Sequence, residues 1–132
     1  MKNDIPEYFV ALVKQYANLS SNEQAYRAIE NITDTLQKCL DYNSRKLFFY
    51  FAPDYLGVKN KLFLISLESK NKKYDHTILI DRLKKQQNMT DSTEVDNLLK
   101  AYLKSVCIVI GPQKTSNIKS ILPVELSKLN YE

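Results

Sequence analysis

Glycine is nearly missing from this chain: only Gly57 and Gly111 occur in 132 residues. Loops that cradle phosphates use several spaced glycines, and "IGPQKTSN" lacks the Gly-Lys-Ser/Thr of a Walker loop, which argues against a nucleotide site of that kind. The scarcity also favours helices over an all-β chain, whose turns draw on glycine for positive φ. Tryptophan is absent, and His76 is the sole histidine, so no second imidazole exists for a zinc site. His76 beside Asp75 could act as a general base, but a lone loop histidine is more simply an exposed one. The two cysteines, Cys39 and Cys107, make no zinc motif and read as buried thiols of a reducing compartment. No apolar run approaches the ~18–20 residues that a membrane span needs. The start, "MKNDIPEYFV", has acids where a signal peptide needs a basic, then apolar, stretch. A cytoplasmic protein is expected, or a nuclear one where the host has a nucleus, with no membrane partner. The length fits one domain over residues 1–132.

Charge is unevenly spread. Residues 1–58 carry six Lys/Arg against seven Asp/Glu, 59–85 carry eight against three, and 86–132 carry five of each. The formal excess of +4 is therefore concentrated in the middle segment. A local basic stripe is a footprint for a polyanion, with Lys59, Lys61, Lys72 and Lys73 as phosphate contacts and Lys114 as an outlying one. The simpler alternative is a solvated lysine-rich loop.

Hydrophobic periodicity places the elements. Ile5, Tyr8, Phe9, Leu12, Val13 and Tyr16 recur at helical spacing, with Pro6 suited to a first turn. Ser20 and Glu23 form a capping-box pattern opening a second helix that runs to about Leu40. "DYNS" reads as a turn. "RKLFFYF", rich in aromatics, reads as a strand, followed by "DYLGV" and "KLFLISLES" as two more. "TILIDRL" fits either a strand or a short helix. Asp91 and Glu94 open a helix whose stripe is Val95, Leu98, Leu99, Tyr102, Leu103 and Val106. "VCIVI" then reads as a buried strand ended by Gly111-Pro112. The core spans 21–111, and the tail, 112–132, holds a short helical pattern near 122–129. The expected fold is α/β: a small mixed β-sheet, two N-terminal helices, and one helix before the last strand.

In that frame "PDYLGVKNKLFLISLESK" (53–70) becomes a hairpin. Side chains two apart on a strand share a face, so Glu68 and Lys70 project together. Asp54, opening the neighbouring strand, would lie beside Glu68, with carboxylates within about 6 Å if one ion bridges them. Mg²⁺ takes one or two carboxylates and fills its octahedron with water and phosphate oxygens. It can polarise a phosphodiester and acidify a bound water.

Pro53-Asp54, a fourteen-residue gap and Glu68-Ser69-Lys70 together resemble the PD-(D/E)xK nuclease superfamily. The expected order over 21–111 is similar to that superfamily's αβββαβ core. The resemblance implies that Asp54 and Glu68 bind Mg²⁺ or Mn²⁺ with the backbone carbonyl of Ser69, and that Lys70 serves the attacking water. It also implies a further acid from the first core helix, for which Glu30 is the better placed and Glu23 the weaker. Ser69 departs from the apolar residue usual at that place. Two functions are therefore expected. One is a metal-dependent nuclease-like domain that hydrolyses or binds nucleic acid. The alternative is a non-catalytic protein-binding module, such as an inhibitor, immunity protein or complex subunit, whose amphipathic helices pack on a partner.

Overall fold

A computed structural model of the chain describes residues 5–56 and 73–131. Among these residues there are seven α-helices, one 3₁₀ turn and no strand. The helices are α1 (Glu7–Tyr16), α2 (Asn22–Cys39), α3 (Tyr42–Phe51), α4 (His76–Gln87), α5 (Ser92–Ile110), α6 (Pro112–Ile121) and α7 (Val124–Ser127). The expected α/β fold with a mixed sheet is thus corrected to an all-helical one.

The starts of the helices follow from capping chemistry. The first backbone N–H groups of a helix have no partner within it, and a preceding Ser or Asp oxygen supplies one. Ser21, one residue later than expected, accepts from the Gln24 amide at 3.2 Å, while the Gln24 side-chain oxygen accepts from the Ser20 amide at 2.9 Å. Asp41, Asp75 and Asp91 cap α3, α4 and α5 in the same way. "TILIDRL" is settled as helix by the Asp75 cap and by Asn88, whose left-handed φ of 56° ends α4.

Two expected strands are helix, for different reasons. In "RKLFFYF" the aromatics favour a strand only if a pleated partner exists, because strand preference is mostly packing context. Here the Asp41 cap starts a helix, and its buried residues Ser44, Arg45, Phe48 and Phe49 fall on one side at helical spacing. In "VCIVI" the run continues a helix that is already formed. Extending a helix costs little per residue, and Val106 and Cys107 prolong the buried stripe. The first strand of the expected hairpin is also corrected: Asp54–Leu56 form a 3₁₀ turn, with the Leu56 amide donating to the Pro53 carbonyl at 3.2 Å. The second strand, 61–69, lies outside the described residues.

Helix α5 is the hub, packing against α1, α2, α4 and α6. One core cluster runs from Ile5 to Tyr131 and includes Phe9, Ile29, Leu36, Leu83, Leu99 and Tyr102. Cys39 and Cys107 are both buried thiols. Helix α3 stands to one side, with α6 as its main packing partner. No helix among the described residues is long and apolar enough to cross a membrane.

Candidate functional site: the outward face of α3 beside α6

The 3.6-residue period divides α3 cleanly. While Ser44, Arg45, Phe48 and Phe49 face inward, Asn43, Lys46, Leu47 and Tyr50 form the opposite, exposed stripe. Tyr50 is 76% exposed and Leu47 39%. These two lie one turn apart, so their apolar surfaces adjoin. The Tyr50 ring is not loose: it meets the Phe51 ring edge-on at 5.1 Å. Lys46 Nζ and the Arg45 guanidinium carbon lie 5.9 and 5.7 Å from the centre of the Tyr42 ring. Arg45 itself is buried, donating from one guanidinium nitrogen to the Gln37 carbonyl at 3.4 Å. Burial lowers its pKa, and Tyr42 and Asp41 oppose that shift.

Helix α6 packs beside α3. The Ser44 hydroxyl, near the start of α3, donates to the carbonyl of Ile121 at the end of α6 at 2.9 Å. The start of α3 thus meets the end of α6, and the two ten-residue helices pack together. Lys114 is exposed in the first turn of α6. Arg45, Lys46, Lys114 and Lys119 are the charged residues of α3 and α6, and neither helix contains an acid.

Other exposed aromatics are better covered. Tyr8 meets Tyr55 edge-on at 6.2 Å, and Lys104 Nζ sits 4.7 Å above Tyr16. Ile78, Ile108 and Val124 are exposed as well, and exposed apolar side chains are ordinary on a protein surface.

A cleft of about 240 Å³ is lined by His76, Thr77, Ile80, Asp81, Ser92 and Asp96. Its histidine is engaged: the Tyr74 hydroxyl and His76 Nδ1 lie 2.6 Å apart. Burial first, then the nearby Glu125, raises the Tyr74 pKa, so this phenol stays a neutral partner rather than a proton source. No group of three His, Cys, Asp or Glu among the described residues could hold a metal ion.

Of the residues singled out from sequence, Asp54, Glu30, Glu23, Lys73 and Lys114 are among the described ones. Asp54 is exposed in the 3₁₀ turn, and Glu30 is half-buried in the middle of α2, with Glu23 in that helix's first turn. Glu68, Ser69, Lys70, Lys59, Lys61 and Lys72 lie outside the described residues. Lys73 is exposed just before α4, and Lys114 is exposed in the first turn of α6. The sheet that was to bring Asp54 to Glu68 is replaced by helices on both sides of 57–72. Sequence reasoning overlooked Lys46, Leu47 and Tyr50 because it assigned them to a strand. The spacing of Asn43, Lys46, Leu47 and Tyr50 behind a capping Asp41 was the available signal.

No family model, no curated protein and no solved structure matches this chain.

Proposed function

We propose that the chain is a non-catalytic, helical protein-binding module that engages its partner through the outward face of α3. One observation carries this reading: Leu47 and Tyr50 stand exposed one turn apart on a helix whose opposite side is already committed to the core. Tyrosine suits such a role because it buries a large, rigid area while keeping its hydroxyl hydrated, and it is enriched among residues that dominate interface energies. Burying a leucine fully is worth about 1.5–3 kcal/mol, and Leu47, 39% exposed, has roughly two-fifths of that still to gain. Helix-against-helix docking with anchors at i and i+3 is a general mode of protein recognition.

The test places a photo-crosslinking residue at position 47 or 50 in the native cell, with Ser120, exposed on α6, as the control position. The crosslinked protein is identified and the complex rebuilt from purified components. Crosslinks at 47 and 50 but not at 120 are expected. Tyr50→Ala should weaken the rebuilt complex at least tenfold, about 1.4 kcal/mol, without moving the unfolding midpoint. Equal crosslinking at all three positions, or full affinity in Tyr50→Ala, would overturn the reading.

A further inference from the structure

We propose that the cleft between α4 and α5 is a binding site for a primary ammonium group carried on an aliphatic stem. This site is separate from the outward face of α3 and does not depend on it. His76, Thr77, Ile80 and Asp81 of α4 meet Ser92 and Asp96 of α5 around the cleft. Its volume of about 240 Å³ lies below the ~300–1,000 Å³ of pockets for drug-sized ligands, so it suits one small group.

Two uncommitted carboxylates are the first support. Each acid has a base available on its own helix: Lys85 stands four residues after Asp81, and Lys100 four after Asp96. That is the spacing at which helices pair an acid with a base. Neither pair forms. Among the described residues Asp81 and Asp96 make no ion pair and no hydrogen bond, and both line the cleft instead. Asp96 is half-buried, and its Oδ1 is closed to solvent with no donor against it. A carboxylate oxygen withdrawn from water needs a donor or a cation in exchange. With no bond holding it, the Asp96 carboxylate can turn about its last torsion, whose preferences are broad, and present either oxygen to a ligand.

The rest of the cleft completes the fit. No Lys or Arg is among its described lining residues. His76 is held at one ring nitrogen, Nδ1, by the Tyr74 hydroxyl at 2.6 Å. Burial first, and then Glu125, Cys39, Asp75 and Asp96, keep that phenol neutral, so the surroundings of the cleft are acidic too. An ammonium has three N–H donors, enough for both carboxylates and a hydroxyl of Thr77 or Ser92. Ile80 lies beside them for the stem. A divalent metal fits less well, since no group of three His, Cys, Asp or Glu among the described residues could hold one. An anion would meet two carboxylates of like charge.

His76 is the chain's sole histidine, so its ring protons give an unambiguous NMR signal from the wall of the cleft. The intact chain is titrated with n-butylammonium chloride and, separately, with n-butanol, sodium butyrate and propylguanidinium chloride, all at one ionic strength. Butylammonium should shift the His76 signals to saturation, with affinity about tenfold or more above that of the other three. Asp96→Asn should weaken it about tenfold, and Asp81→Asn, at an exposed position, about threefold. Urea denaturation checks that each variant is folded, and Asp81→Asn keeps the test decisive should Asp96→Asn unfold the chain. Putrescine, a free amine, and N-acetyl-lysine amide, a stand-in for a lysine side chain on a partner, separate the two sources of the group; saturable binding of either supports the site, and the tighter one names its source. A shift that grows linearly without saturating overturns the proposal. So does butanol, butyrate or propylguanidinium binding as tightly as butylammonium, or an affinity that neither substitution changes.

Discussion

Thr33 and Tyr102 show how much can hang on one polar contact in a core of this size. Their hydroxyls lie 2.8 Å apart between α2 and α5, and Tyr102 is fully buried. The two ends of this bond are not equivalent. A threonine hydroxyl on a helix can turn to the carbonyl four residues earlier, whereas the phenol hydroxyl is carried far from its own backbone. Thr33→Val should therefore strand a buried phenol and cost about 1–3 kcal/mol. Tyr102→Phe should cost less, because Thr33 can satisfy itself locally. Urea denaturation of both variants would check this, and the reverse order would show that the bond is not what holds Tyr102. Tyr50 is the opposite case: its truncation should register in binding and not in folding.

At the scale of elements, α3, α5 and α6 carry the main lessons. Gly111 separates α5 from α6 with φ of +91° and ψ of 169°, a region that is essentially glycine's alone. An added Cβ there would meet nothing within 4 Å, so the cost of Gly111→Ala is conformational rather than steric. It should be about 1–3 kcal/mol, read as a fall in the urea midpoint at unchanged slope. An unchanged midpoint would mean that the helix junction relaxes freely. Helices α1, α2 and most of α5 were legible in the sequence, since each shows an apolar stripe at helical spacing behind a Pro, Ser or Asp start. Helix α3 was not legible: seven consecutive residues dense in aromatics fit a period of two as readily as one of 3.6. Its cap, Asp41, was visible but was assigned to a turn. The final turns of α5 were hidden by β-branched residues, whose strand preference is smaller than the gain from prolonging an existing helix.

For the molecule as a whole, one buried and two half-buried tyrosines set the alkaline limit. Tyr55, Tyr74 and Tyr102 all have raised pKa values, in each case chiefly because burial disfavours the phenolate. In the unfolded chain these groups ionise near pH ~10. Between that pH and their folded pKa values the folded state holds more protons than the unfolded one, so stability falls as pH rises. Below about pH 10 their contribution is complete. Stability should thus decline steeply above about pH 10, and part of the tyrosinate absorbance should appear only as the chain unfolds. Full tyrosinate absorbance in a chain that is still folded would contradict the raised pKa values of these three phenols.

The sequence by itself determined that the chain has the composition of a globular domain, which of its longer segments are amphipathic helices, and that both cysteines sit in apolar patterns. These properties are written in composition and in short-range spacing, which any neighbouring element must accommodate. The tertiary structure alone decided that 42–51 and 106–110 are helix, and so removed the sheet on which the Asp54–Glu68 metal site depended. It also decided which side of α3 faces outward and that α6 lies against it, through contacts such as Ser44 to Ile121 that join positions 77 residues apart. A short apolar run carries no record of its partner: whether it pleats or coils depends on which surface, distant in the chain, arrives to cover it.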